Sequence, residues 1–115
     1  MSRLEKLEQM VQREPTDVFL SFCLAMELAK EGLTDRALTQ FDRVLELDSA
    51  YIAAYRQKAS VLLAAGRADD ARAALSLGIA TAQKGGDMHA VSQMEQLIKA
   101  IGKGDILLLP PDHGP

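Results

Sequence analysis

Gly32-Leu33-Thr34-Asp35-Arg36-Ala37-Leu38-Thr39-Gln40-Phe41 is answered further along the chain by Gly66-Arg67-Ala68-Asp69-Asp70-Ala71-Arg72-Ala73-Ala74-Leu75. The two glycines are 66 − 32 = 34 residues apart, and the same shift carries Ala37 onto Ala71 and Phe41 onto Leu75. Upstream it carries Ala25 onto Ala59 and Leu28 onto Leu62. In each copy a glycine separates two stretches with apolar residues at helical spacing, so the repeated unit is helix, tight turn, helix. Helices joined by so few residues lie antiparallel. Small residues at Ala25, Ala37, Ala59 and Ala71 let their axes approach, and Phe41 and Leu75 fill the wedge between them. Gly32 and Gly66 supply turn angles that other residues resist.

Outward from this pair the pattern stays helical. Leu4, Leu7, Met10 and Val11 form a stripe opposite Glu5, Lys6, Glu8, Gln9 and Gln12, which predicts a helix that Pro15 terminates. Thr16 or Asp17 is placed to cap the next helix, over about residues 18–30; it is apolar nearly all round and so is expected to be buried on more than one side. Helices are predicted over about 35–46, 50–65 and from 68 or 69 to 84. Gly85-Gly86 breaks the last of these, and Asp87 caps a final helix to about Ile101. Gly102 and Gly104 then release residues 105–115, where Asp105-Ile106-Leu107-Leu108-Leu109-Pro110-Pro111 cannot be helical past its prolines.

A helix-turn-helix unit repeating every 34 residues resembles the tetratricopeptide repeat family. The resemblance covers about residues 3–101 and divides them into a half repeat (1–17), two full repeats (18–51 and 52–85) and a capping helix (87–101). It implies an all-α fold, with antiparallel helix pairs forming a short right-handed superhelix. Pro15 stands where the family commonly has a proline, while Ser49 and Gln83 replace it in the full repeats. Tyr55 matches the large aromatic early in a unit and Ser21 does not. Gly78, at the position of Val44, reads as a weak point of order 1 kcal/mol relative to alanine. In the last helix His89, Gln93 and Gln96 replace Tyr55, Ala59 and Leu62, which suits a cap that faces water. Its apolar side, Met88, Val91, Met94, Ile98 and Ile101, is expected to close the core.

The family also implies a concave groove, lined by the first helix of each unit, that holds a peptide. Its register puts Phe19, Phe22, Met26 and Ala29, then Ala53, Arg56, Ser60 and Leu63, then Asp87, Ala90, Met94 and Leu97 on that groove. The expected partner contacts are Phe19, Phe22, Met26, Arg56, Ser60 and Met94. Phe19, Phe22 and Met26 are equally readable as core; exposed, they suit an apolar peptide, since flexible, polarizable Met adapts to shape. Members of the family that clamp a C-terminal carboxylate use lysines and asparagines where this chain has Phe22 and Met26, so no such clamp is expected. The expected function is a protein-interaction module for a protein or peptide partner. The alternative is a structural homodimer assembled through Ile106, Leu107, Leu108 and Leu109 and an exposed helix face. Four such residues are costly to leave in water, at roughly 25 cal/mol per Å² of apolar surface.

The remaining composition narrows the classes. The chain has 115 residues, 48% hydrophobic and 25% charged, with a formal net charge of −3, enough for one continuous core and neither disordered nor membrane-spanning in character. Lysines and arginines are scattered among acids, so a nucleic-acid surface is not expected. The charged start, Met1 to Glu8, lacks an apolar signal segment, and the single Cys23 fits a reducing compartment; a cytoplasmic location is expected. No enzyme, cofactor or metal site is expected. His89 has no ligand-spaced Cys or carboxylate on its helix, His113 lies in the tail, and Cys23 has no neighbouring base in an apolar helix, which predicts a buried inert thiol.

Overall fold

The computed structural model describes residues 1–102; the segment Ile106–Leu109 lies outside the described residues. Within them the chain runs α1 (Arg3–Arg13), α2 (Val18–Lys30), α3 (Thr34–Leu47), α4 (Ile52–Ala64), α5 (Ala68–Lys84) and α6 (Met88–Gly102). No strand interrupts this order among the described residues, so the fold is all-α. Each helix packs chiefly on its neighbours in the chain, the arrangement expected of antiparallel pairs stacked in one direction.

The turns explain why the pattern repeats. Gly32, Gly66 and Gly86 have φ of 78°, 78° and 76°, left-handed values that cost glycine no Cβ clash. At each, the glycine N–H and the one after it donate back into the last helical turn. Leu33 N reaches Leu28 O at 3.0 Å, Arg67 N reaches Leu62 O at 2.8 Å, and Asp87 N reaches Ala82 O at 2.9 Å. Carbonyls that a helix end leaves orphaned are thereby satisfied three times by one device.

Helix starts are less uniform. Ser2 and Glu5 form a reciprocal capping box on α1. That bonding, backbone first, holds the Glu5 carboxyl below its ordinary value of 4.5. Asp17, rather than Thr16, caps α2 by accepting from Leu20 N at 2.9 Å, and Asp87 caps α6 through Ala90 N at 3.1 Å. The starts of α3, α4 and α5 have no side-chain cap; packing positions these helices instead.

Two continuous clusters make the core. One gathers Leu7, Leu24, Ala25, Leu28, Ala37, Phe41, Val44 and Ala54 from α1 to α4. The other gathers Ala59, Leu62, Ala71, Leu75, Val91, Met94 and Ile101, among others, from α3 to α6. The four alanines expected at close approaches are fully buried, as are the wedge residues Phe41 and Leu75. The outer helices expose polar residues, His89, Gln93 and Gln96 on α6 and Glu5, Lys6 and Gln9 on α1, beside the exposed Met88 and Met10.

Three expectations change, and one charged side chain proves to be buried. Met88 is exposed, so α6 closes the core with Val91, Met94 and Ile101, to which Ala90 adds a small buried contact. Gly78 is buried where α4, α5 and α6 meet, and a Cβ there would lie 2.7 Å from Met94 Sδ and 2.8 Å from Tyr55 Cβ. It is a close-packing position more than a weak point. Cys23 is half-buried rather than fully so. Glu27, on the apolar α2, is buried and accepts from Arg3 Nε at 3.1 Å; the ion pair fastens α1 to α2, so that carboxylate is not left uncompensated.

Candidate partner-binding surface

One face of α2 is apolar and open. Phe19 is 64% exposed and Met26 37% exposed, while Phe22 between them is half-buried. Residues three and four apart share a helix face, so the three form a stripe along α2. Phe22 is held from below: its ring lies 6.0 Å from Phe41 in an edge contact and 5.0 Å from Tyr51. Such pairs orient an aromatic beyond what area burial alone does. Burial raises the Tyr51 hydroxyl above its ordinary 10.0, with Cys23 and Asp48 adding to the rise, so this wall stays uncharged at neutral pH.

Across from α2, α4 presents Arg56 and Ser60, both half-buried. Arg56 Nη1 donates to Gln93 Oε1 of α6 at 3.0 Å. No carboxylate pairs with it among the described residues, whereas Arg3, Arg36, Arg43, Arg67 and Arg72 all have acidic partners. A guanidinium has five donors in a fixed fork, so most of the fork is free toward an acceptor.

The expected contact residues therefore divide. Phe19, Phe22 and Met26 share one stripe, and Arg56 and Ser60 stand on the equivalent helix of the next unit. Met94 does not join them: it is 1% exposed, and its sulfur packs at Gly78. Residues 87–101 share the register of α2 and α4, but among the described residues α6 packs on α5 and turns its apolar side, Met94 included, into it. Gln93, absent from the expected set, takes up the groove side instead. Its bond to Arg56 crosses between helices and leaves no periodic trace in sequence.

A second concavity lies on the other layer. A cleft of about 550 Å³ between α3 and α5 is lined by Asp35, Leu38, Asp42, Lys58, Arg67, Asp70 and Leu77, among others. Its charges are largely matched internally, Lys58 to Asp42 at 2.7 Å and Arg67 to Asp70 at 2.9 Å. Among the described residues no group of three or more His, Cys, Asp or Glu is arranged to hold a metal ion, and no helix is long and apolar enough to cross a membrane.

Comparison with known proteins agrees with this architecture. The tetratricopeptide repeat profile matches residues 28–94, more than half of the chain, and the protein belongs to the tetratricopeptide repeat family. A TPR repeat-containing protein of Pseudomonas aeruginosa is 29% identical over 100 residues, 87% of this chain and 95% of that protein. A protein of Bordetella parapertussis, solved in solution, superposes with a TM-score of 0.77 at 27% identity, covering 93% of each chain. Repeats of this family generally mediate protein–protein interaction.

Proposed function

We propose that the protein binds a segment of a partner polypeptide on the surface formed by α2 and α4. The observation that carries this reading is the α2 stripe: Phe19 and Met26 are exposed large apolar residues three and four positions either side of a braced Phe22. Exposed aromatic and thioether side chains on a supported helix face are the anchors peptide-binding surfaces use. Arg56 and Ser60 add polar contacts that orient the bound segment. So short an array buries a small interface, and affinity of about micromolar is expected.

The test is selection from a random peptide library followed by amide chemical-shift mapping of a selected peptide. Sequences with bulky apolar residues are expected, with perturbations centred on α2 and α4. Perturbations confined to the α3–α5 cleft would move the binding site off this surface.

A further inference from the structure

The surface formed by α2 and α4 sets a cation beside its apolar stripe. We infer that the partner segment is acidic as well as apolar: an extended stretch with a bulky apolar side chain two or three residues from an Asp or Glu. The apolar side chain packs on Phe22 and Met26, and the carboxylate takes the Arg56 guanidinium. The inference rests on the α2–α4 reading and names the ligand class of that same site.

The state of Arg56 carries it first. Its Nη1 donates to Gln93 Oε1 at 3.0 Å, and no carboxylate lies at ion-pair distance from it among the described residues. A neutral acceptor thus steadies the guanidinium without compensating its charge. The edge formed by Nε and Nη2 is left over, and a carboxylate accepts two parallel bonds from such an edge. Arg56 is half-buried, and a partly desolvated charge gains more from a counter-ion than one in open water. Acids on the flanking helices are committed elsewhere. Asp87 caps α6 by accepting from Ala90 N at 3.1 Å, and Glu27 of α2 is buried against Arg3.

Spacing carries it further. The shift 56 − 22 = 34 makes Phe22 and Arg56 equivalent positions of consecutive units, as it does Met26 and Ser60. α2 and α4 touch, and packed helix axes stand about 8–10 Å apart. A segment laid across both helices therefore meets an apolar wall and, about 9 Å on, a guanidinium. In an extended strand the next side chain on the same face is two residues away, about 7 Å. In polyproline II it is three residues away, about 9 Å. A flexible arginine arm covers either separation. A basic residue at that place would set like charge against Arg56, which disfavours the complex.

The full chain and its Arg56→Glu variant are each used to select from one random peptide library with amidated C-termini, so that every acid is a side chain. The parent is expected to enrich Asp or Glu two or three residues from a bulky apolar residue, and Arg56→Glu to enrich Lys or Arg there. One parent-selected peptide is then titrated, with its acid intact or replaced by the amide, into the parent and into Arg56→Gln. Each single change is expected to weaken binding about tenfold, and the two together no more than either alone. Added salt should weaken binding to the parent and leave Arg56→Gln nearly unaffected. A role confined to holding Gln93 would produce neither the coupling nor the salt response, and the change in the peptide requires no altered protein to fold. Absence of acid enrichment, an acid-to-amide change without effect, or additive losses overturn the inference. So does a mass that rises with concentration in the parent but not in Arg56→Gln, which seats a second copy on the guanidinium. The two readings fail separately. A peptide weakened by Phe19→Arg but indifferent to Arg56→Gln keeps the surface and removes the acidic partner, whereas indifference to both removes both.

Discussion

Tyr55 and Gly78 occupy one volume: a Cβ added to Gly78 would lie 2.8 Å from the Tyr55 Cβ. Tyr55 is buried and its hydroxyl is satisfied by donating to Ser49 O at 2.8 Å. Thirty-four residues earlier the corresponding positions hold Ser21 and Val44, both buried. One unit is small on its first helix and larger on its second; the other reverses the sizes. The missing aromatic at Ser21 and the mid-helix glycine at Gly78 belong to one exchange of volume.

That exchange predicts that Gly78→Ala destabilises the protein by about 1–3 kcal/mol through overpacking. Helix propensity alone would make the same change favourable by about 1 kcal/mol. Urea unfolding measures the sign, and a stabilised Gly78→Ala would refute the packing account. Combining it with Met94→Ala, which removes the sulfur 2.7 Å from the added Cβ, should recover part of the overpacking strain, visible as non-additivity in a double-mutant cycle.

Ser21 is fully buried and its Oγ has no hydrogen-bond partner. An unpaired buried hydroxyl costs about 1–3 kcal/mol, and alanine differs from serine by little volume. Ser21→Ala is therefore expected to raise stability by about 1 kcal/mol, read as a higher urea midpoint at unchanged slope.

The capping box gives a pH dependence of known sign. Bonding to Ser2 lowers the Glu5 carboxyl below its ordinary 4.5, so the charged form is favoured in the folded state. Its stabilising contribution is present above that ordinary value and is lost as pH falls through the lowered one. Glu5→Gln should flatten this part of the stability profile at acid pH. A profile identical to the parent protein would mean the box does not form in solution.

Much of this fold is legible in the sequence because its causes are local and periodic. The glycine turns, the four buried alanines and the wedge residues Phe41 and Leu75 all follow from a 34-residue shift, and each sits where that shift puts it. What was not legible depends on contacts across helices. Met94 has the same register as Ser60, yet it turns its thioether into α5 at Gly78. The bond from Arg56 to Gln93 and the pairing of buried Glu27 with Arg3 join residues 37 and 24 positions apart, separations that no periodicity encodes. Phe19, Phe22 and Met26 read equally as core by pattern; the exposure of Phe19 and Met26, with Phe22 half-buried between them, separates a candidate surface from an interior.

The central claim is that this exposed face of α2 receives the partner. Isothermal titration of a library-selected peptide into the parent protein and into Phe19→Arg tests it most directly. Phe19 is 64% exposed, so the substitution should leave the thermal midpoint nearly unchanged while weakening binding at least about tenfold, a loss of about 1.4 kcal/mol. Equal affinity for the two proteins would contradict the account and place the binding site elsewhere on the array.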